Sequence, residues 1–104
     1  MKQVIDGKSY DTDTADLLVH WHNGHNHGDF HRCEEDLYRT KKGNYFIHGE
    51  GGALSAWSEP CGNCRGGGSG IKALSPAEAL EWIEERNEDV PEDCPEIAAL
   101  VTEA

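Results

Sequence analysis

Cys61-Gly62-Asn63-Cys64 is a C-x2-C pair set among small residues. At this spacing two thiolates can hold one zinc ion while backbone amides approach the sulfurs. A structural zinc takes four ligands, and the chain has a single C-x2-C. Cys33 and His31, two residues apart, are expected to supply the other two if their strand end lies near the loop, with His25 and His27 as alternative donors. Such a site implies one structural zinc and folding that depends on it. The plainer alternative is two free thiols in a glycine-rich loop. A thioredoxin-like redox pair is disfavoured, because no helix start follows Cys61 to lower its pKa.

Five of the six histidines (His20, His22, His25, His27 and His31) fall within twelve residues, and His48 stands apart. A catalytic metal would need carboxylates beside them, and Asp29 is the one acid inside the cluster. A polar strand and loop enriched in His is the ordinary reading. Protonating all six would move the net charge from -11 to -5. No nucleophile elbow, P-loop or H-E-x-x-H is present. Gly66-Gly67-Gly68-Ser69-Gly70 lacks the Lys-Ser/Thr that would hold a phosphate, and it precedes a strand rather than a helix. Nothing here reads as an enzyme.

The carboxylates are the strongest signal. Of 104 residues, 20 are Asp or Glu and 9 are Lys or Arg. Residues 1–75 are nearly balanced, with ten acids and eight bases, whereas residues 76–104 hold ten acids against Arg86 alone. Glu81, Glu84, Glu85 and Glu88 recur at helical spacing, and Asp89, Glu92 and Asp93 continue the run. Solvated faces are the common fate of such residues. Yet Glu–Lys pairs would keep a helix equally soluble and support it, while like charges three and four apart weaken it. These seven residues are therefore the expected partner-binding surface. Carboxylates along a helix can imitate a row of phosphates and steer the chain to a basic groove built for DNA. Direct binding of nucleic acid is excluded by the same charge.

The elements that must carry these groups follow from period and turn chemistry. The length suits one domain, residues 1–104, with a sheet region over 1–74 and acidic helices over 75–104. Val4-Ile5 and Lys8-Ser9-Tyr10 flank Asp6-Gly7, a favoured hairpin turn. Asp16 to His22 reads as a strand. Phe30 to Thr40 and Asn44 to His48 flank Lys41-Lys42-Gly43, with Tyr45 and Ile47 facing one side and Phe46 and His48 the other. Gly49-Glu50-Gly51-Gly52 is expected to interrupt the sheet, Ala53 to Trp57 to resume it, residues 61–70 to form a loop, and Ile71 to Leu74 the last strand. Ser75-Pro76-Ala77-Glu78 starts a helix with a capping box, whose apolar stripe is Ala79, Leu80, Trp82, Ile83 and Arg86. Val90-Pro91 is expected to end it. Asp93-Cys94-Pro95-Glu96 repeats the capping logic for a short second helix with Ile97, Leu100 and Val101 inward. The fold class is α+β: an antiparallel sheet of four to five strands covered on one face by two C-terminal helices. No apolar run is long enough for a membrane helix, and the N-terminus lacks a signal-peptide core, so a cytoplasmic protein is expected.

The stretch Leu37-Tyr38-Arg39-Thr40-Lys41-Lys42-Gly43-Asn44-Tyr45-Phe46-Ile47-His48-Gly49-Glu50-Gly51-Gly52 resembles a family of small proteins carried by bacterial mobile elements and phages. The likeness extends through Gly70-Ile71-Lys72-Ala73-Leu74-Ser75-Pro76-Ala77-Glu78-Ala79-Leu80-Glu81-Trp82 and back to Tyr10-Asp11-Thr12, covering roughly residues 8–88. Small acidic proteins of this kind are similar to anti-CRISPR proteins, with type I-C inhibitors nearest. The 61–64 cysteines depart from the small polar residues expected in relatives. The resemblance implies a binding inhibitor in the cytoplasm of a bacterial host. Its partner would be a CRISPR effector complex, which holds DNA in a Lys/Arg-lined channel that acidic helices could fill.

Overall fold

The computed structural model of the chain describes residues 1–24, 30–53, 55–61, 64–91 and 94–102, with residues 59–61, 64 and 65 as backbone only. Strand β1 (Lys2–Ile5) turns into β2 (Lys8–Asp11) through Asp6 and Gly7, both at positive φ (50° and 78°). That pair of left-handed residues matches the twist of a two-residue hairpin. Strands β3 (Asp16–His22), β4 (Cys33–Arg39) and β5 (Tyr45–Gly51) follow, then a small hairpin of β6 (Glu59–Cys61) and β7 (Cys64–Gly66), then β8 (Gly68–Leu74). The main sheet has the order β3-β4-β5-β8 and is antiparallel throughout. With the two C-terminal helices it makes the protein α+β.

Two expectations about this region fail for one physical reason. Gly49 and Gly51 do not interrupt the sheet; β5 runs through both. They are required there by close approach. A Cβ on Gly49 would lie 2.0 Å from Trp57 Cε2, and one on Gly51 would lie 2.2 Å from Ser55 Oγ. Of the segment expected to resume the sheet, residues 53 and 55–57 instead fold as turns, with Ser55 and Trp57 over those glycines. The described residues among 61–70 likewise are largely strand, forming the end of β6, β7 and the first part of β8.

Helix α1 (Pro76–Glu85) starts as its residues require. Ser75 Oγ accepts from the Glu78 amide at 3.1 Å, and Glu78 Oε1 accepts from the Ser75 amide at 3.0 Å. Its end lies before Val90-Pro91. Asn87 takes φ 54°, its amide donates to Glu84 O at 3.2 Å, and the Glu88 amide donates to Ile83 O at 3.1 Å. This is a Schellman closure with Asn in the place glycine usually holds. Helix α2 (Pro95–Ala98) is a single turn capped by Cys94 without a side-chain hydrogen bond. It is too short to turn Leu100 and Val101 inward, and both are exposed.

Alternation along the strands divides the core in two. On one sheet face Leu37, Tyr45 and Ile47 pack with Ala79, Trp82 and Ile83 of α1 and with Cys94 and Ile97. On the other, Phe46 and Ile71 pack with Tyr10 of the β1–β2 hairpin, Tyr10 and Phe46 edge to face at 5.4 Å between ring centroids. Helix α2 is held by its own ion pair: Glu96 accepts from Arg39 Nη2 at 3.2 Å and from the Tyr45 hydroxyl at 2.9 Å. Burial and that carboxylate together push the Tyr45 phenol up.

Candidate functional site

Pairing register places four residues in one row across the helix-facing side of the sheet: Trp21, Glu35, Gly49 and Gly70. Two large side chains beside two glycines leave a trough over β5 and β8, and the Trp57 indole fills part of it. Glu35 stands at the centre, 5% exposed, with three donors on its two oxygens. Trp57 Nε1 donates at 2.7 Å, Trp82 Nε1 at 2.8 Å, and Arg86 Nη2 makes a short ion pair. The Arg86 guanidinium lies over two rings, 4.8 Å from the Trp21 centroid and 4.7 Å from that of Trp82. All three tryptophans of the chain meet here. A buried carboxylate needs such partners to stay charged, and the buried indoles and guanidinium need the carboxylate.

Against this node, with Glu35, Trp82 and Arg86 in its lining, a groove of about 580 Å³ lies between α1, β8 and the turn that carries Trp57. Its floor is apolar, from Ile47 and Leu74. Its α1 wall carries Glu78, Glu81 and Glu85, all exposed, and Lys72 stands opposite on the edge strand. The backbone amide of Ser75 bonds the Glu78 carboxylate and holds its pKa down. Glu85 reaches Arg86 Nη1 at 3.4 Å. Among the described residues Glu81 and Glu84 make no ion pair. The acids therefore occupy two surfaces. Glu81 and Glu85, joined by Glu78, border the groove, while Glu84 and Asp89 are exposed away from it and Glu88 is half-buried beyond the helix end. Glu92 and Asp93 lie outside the described residues.

The expected zinc ligands are not drawn together by anything described. Cys33 is half-buried on β4, its thiol pushed up by burial first, and His31 is exposed. Cys61 and Cys64 are paired backbone positions of the β6–β7 hairpin, and their side chains, like all of His25 and His27, lie outside the described residues. Among the described residues no group of three or more His, Cys, Asp or Glu is placed to hold a metal ion. No helix is long and apolar enough to cross a membrane.

His20 and His22 do share a strand face, on the side of the sheet away from α1, with ring centroids 6.1 Å apart. His20 Nδ1 is hydrogen-bonded to Asp36 Oδ1, which raises the imidazole pKa above 6.5 against a smaller opposing effect of burial. A group raised on folding stabilises fully below its unfolded pKa and loses that contribution as pH rises through the folded one. The contact should thus be present below about pH 6.5 and fade above it. An NMR titration should place His20 above 6.5 and return it to the ordinary value in Asp36→Asn. An unshifted His20 in the parent chain would show that the pair does not form in solution.

Sequence reasoning placed Arg86 on the helix stripe but missed Glu35, Trp57 and the glycines beneath it. Two signals were available. Glu35 alternates with Leu37, a core residue, and Gly49 and Gly51 recur at the strand period of two. No family model, curated protein or solved structure matches the chain.

Proposed function

We propose that this chain is a binding inhibitor rather than an enzyme, one that offers the acidic side of α1 to the basic, nucleic-acid-binding surface of a protein partner. The DNA channel of an RNA-guided CRISPR effector is the kind of surface that fits. The carrying observation is that Arg86, the one base in residues 76–104, is already committed to Glu35 and Glu85, and Lys72 alone faces Glu78 and Glu81 across the groove. The field of these carboxylates is therefore only partly compensated. Glu78, Glu81, Glu84 and Glu85 fall within eight residues, about 10 Å of helix rise from first to last, or one charge per about 3.5 Å. A single DNA strand carries one phosphate per about 3.4 Å of axis.

The position of these acids along the helix adds support. The last turn contains Glu84 and Glu85 and no base. Carboxylates there oppose the helix dipole, at about 0.3–1 kcal/mol each. The single base at that end, the C-cap Arg86, donates to Trp82 O at 3.3 Å and is shared with Glu35 and Glu85. Retaining carboxylates fits a surface selected for what it attracts.

The test is binding to a purified type I-C effector in competition with target DNA. Affinity should fall steeply between 50 and 200 mM salt. Replacing Glu81, Glu84, Glu85 and Glu88 together by Gln should weaken it roughly ten- to hundredfold, from about 0.2–1 kcal/mol per exposed charge. Binding that ignores both salt and these substitutions would sink the reading.

A further inference from the structure

We propose that the groove beside α1 is the seat of a single arginine side chain from the partner protein. This rests on the reading above and narrows it from a charged face to one pocket. The chemistry of the groove selects the occupant. Its floor of Ile47 and Leu74 suits an aliphatic stem, and its lining of Glu35, Glu78, Glu81 and Glu85 against Lys72 and Arg86 carries two negative charges in excess. An anion is repelled by that lining. A neutral apolar ligand would desolvate the carboxylates without compensating them.

A guanidinium suits the site better than an ammonium. It is planar, stacks on indole and can donate to two carboxylate oxygens side by side. Trp57, half-buried over Gly49 and Gly70, borders the groove and offers such a surface. The molecule already uses this chemistry once, where Arg86 lies over the rings of Trp21 and Trp82 and pairs with Glu35. The groove adds a second indole, Trp57, and further carboxylates, Glu78 and Glu81, beside the wall that Arg86 lines.

The probe is a blocked hexa-arginine peptide added to the 15N-labelled full chain, with a hexalysine peptide of equal charge as comparison. Saturable movement of the Trp57 indole N–H signal is expected, at a lower concentration for arginine than for lysine. Glu81→Gln with Glu85→Gln should weaken arginine binding about tenfold. Glu84→Gln with Asp89→Asn removes the same charge away from the groove and should change it less than twofold. Amide dispersion in the same spectra shows that each variant is folded. Equal loss in the two double variants, equal affinity for the two peptides, or a Trp57 signal that does not move would each overturn the proposal. Its failure is separable from failure of the parent reading. Peptide seated in the groove without effector binding removes the effector and keeps the seat, whereas effector binding without peptide does the reverse.

Discussion

Glu35→Ala is expected to lower the unfolding free energy by about 3–5 kcal/mol, the cost of stripping one partner from a buried ion pair. Three donors lose their acceptor at once: two indole N–H groups and the Arg86 guanidinium. The Arg86 side chain keeps 17% exposure, so water can reach part of its charge and the effect falls toward the lower end. The indole of Trp82 has no such escape, being 5% exposed. Total stabilities of domains this size run about 5–15 kcal/mol, so the variant approaches the edge of folding. Urea denaturation at neutral pH measures it. Replacing Glu35 and Arg86 together by leucine should recover only part of the loss, because no charge is then left buried without a partner but both indole N–H groups still lack their acceptor. A loss under about 1 kcal/mol in Glu35→Ala would mean that the node contributes little to holding α1 on the sheet.

Gly49→Ala is the second large effect, expected at about 2–4 kcal/mol from overpacking and the loss of a buried hydrogen bond. The added methyl would meet the Trp57 ring at 2.0 Å, a contact that cannot exist. Either β5 bends or the indole leaves, and leaving breaks the 2.7 Å bond to Glu35 and unmakes the groove wall. Its cross-strand partner provides the control. A Cβ on Gly70 would meet Trp57 at 3.4 Å, an ordinary contact, so Gly70→Ala should stay within about 1 kcal/mol and can be stabilising, since glycine weakens strands. Comparable losses at the two positions would show that strand glycine, not the Trp57 contact, governs the cost. Thermal or urea unfolding of both variants decides it.

Where local rules act alone, the chain was legible. The Asp6-Gly7 turn, the strand Asp16–His22, the alternation of Tyr45 and Ile47 against Phe46 and His48, and the Ser75–Glu78 capping box all follow from neighbours within four residues. The errors arise where distant residues override them. Gly49 reads as a breaker until Trp57 is known to lie on it, and Asn87 ends α1 because its backbone can turn left-handed there, not because a proline follows. Glu35 sits between Glu34 and Asp36 and looks like one of three solvated acids. Only the arrival of two indoles and a guanidinium from residues 57, 82 and 86 makes its burial tolerable. The acidic helix was legible as composition, but its division into a groove rim and an outer surface depends on how α1 sits against β8.

The meeting of all three tryptophans at one carboxylate makes the chain its own optical probe. Trp21 touches Arg86, and Trp57 and Trp82 are bonded to Glu35, so the whole indole emission originates within a single neighbourhood. Light from this protein reports the seating of α1 and the state of the groove beside it. It is nearly blind to the β1–β2 hairpin, whose aromatic contacts are those of Tyr10 with Phe46. An emission change on mixing with a partner therefore carries an address as well as a signal.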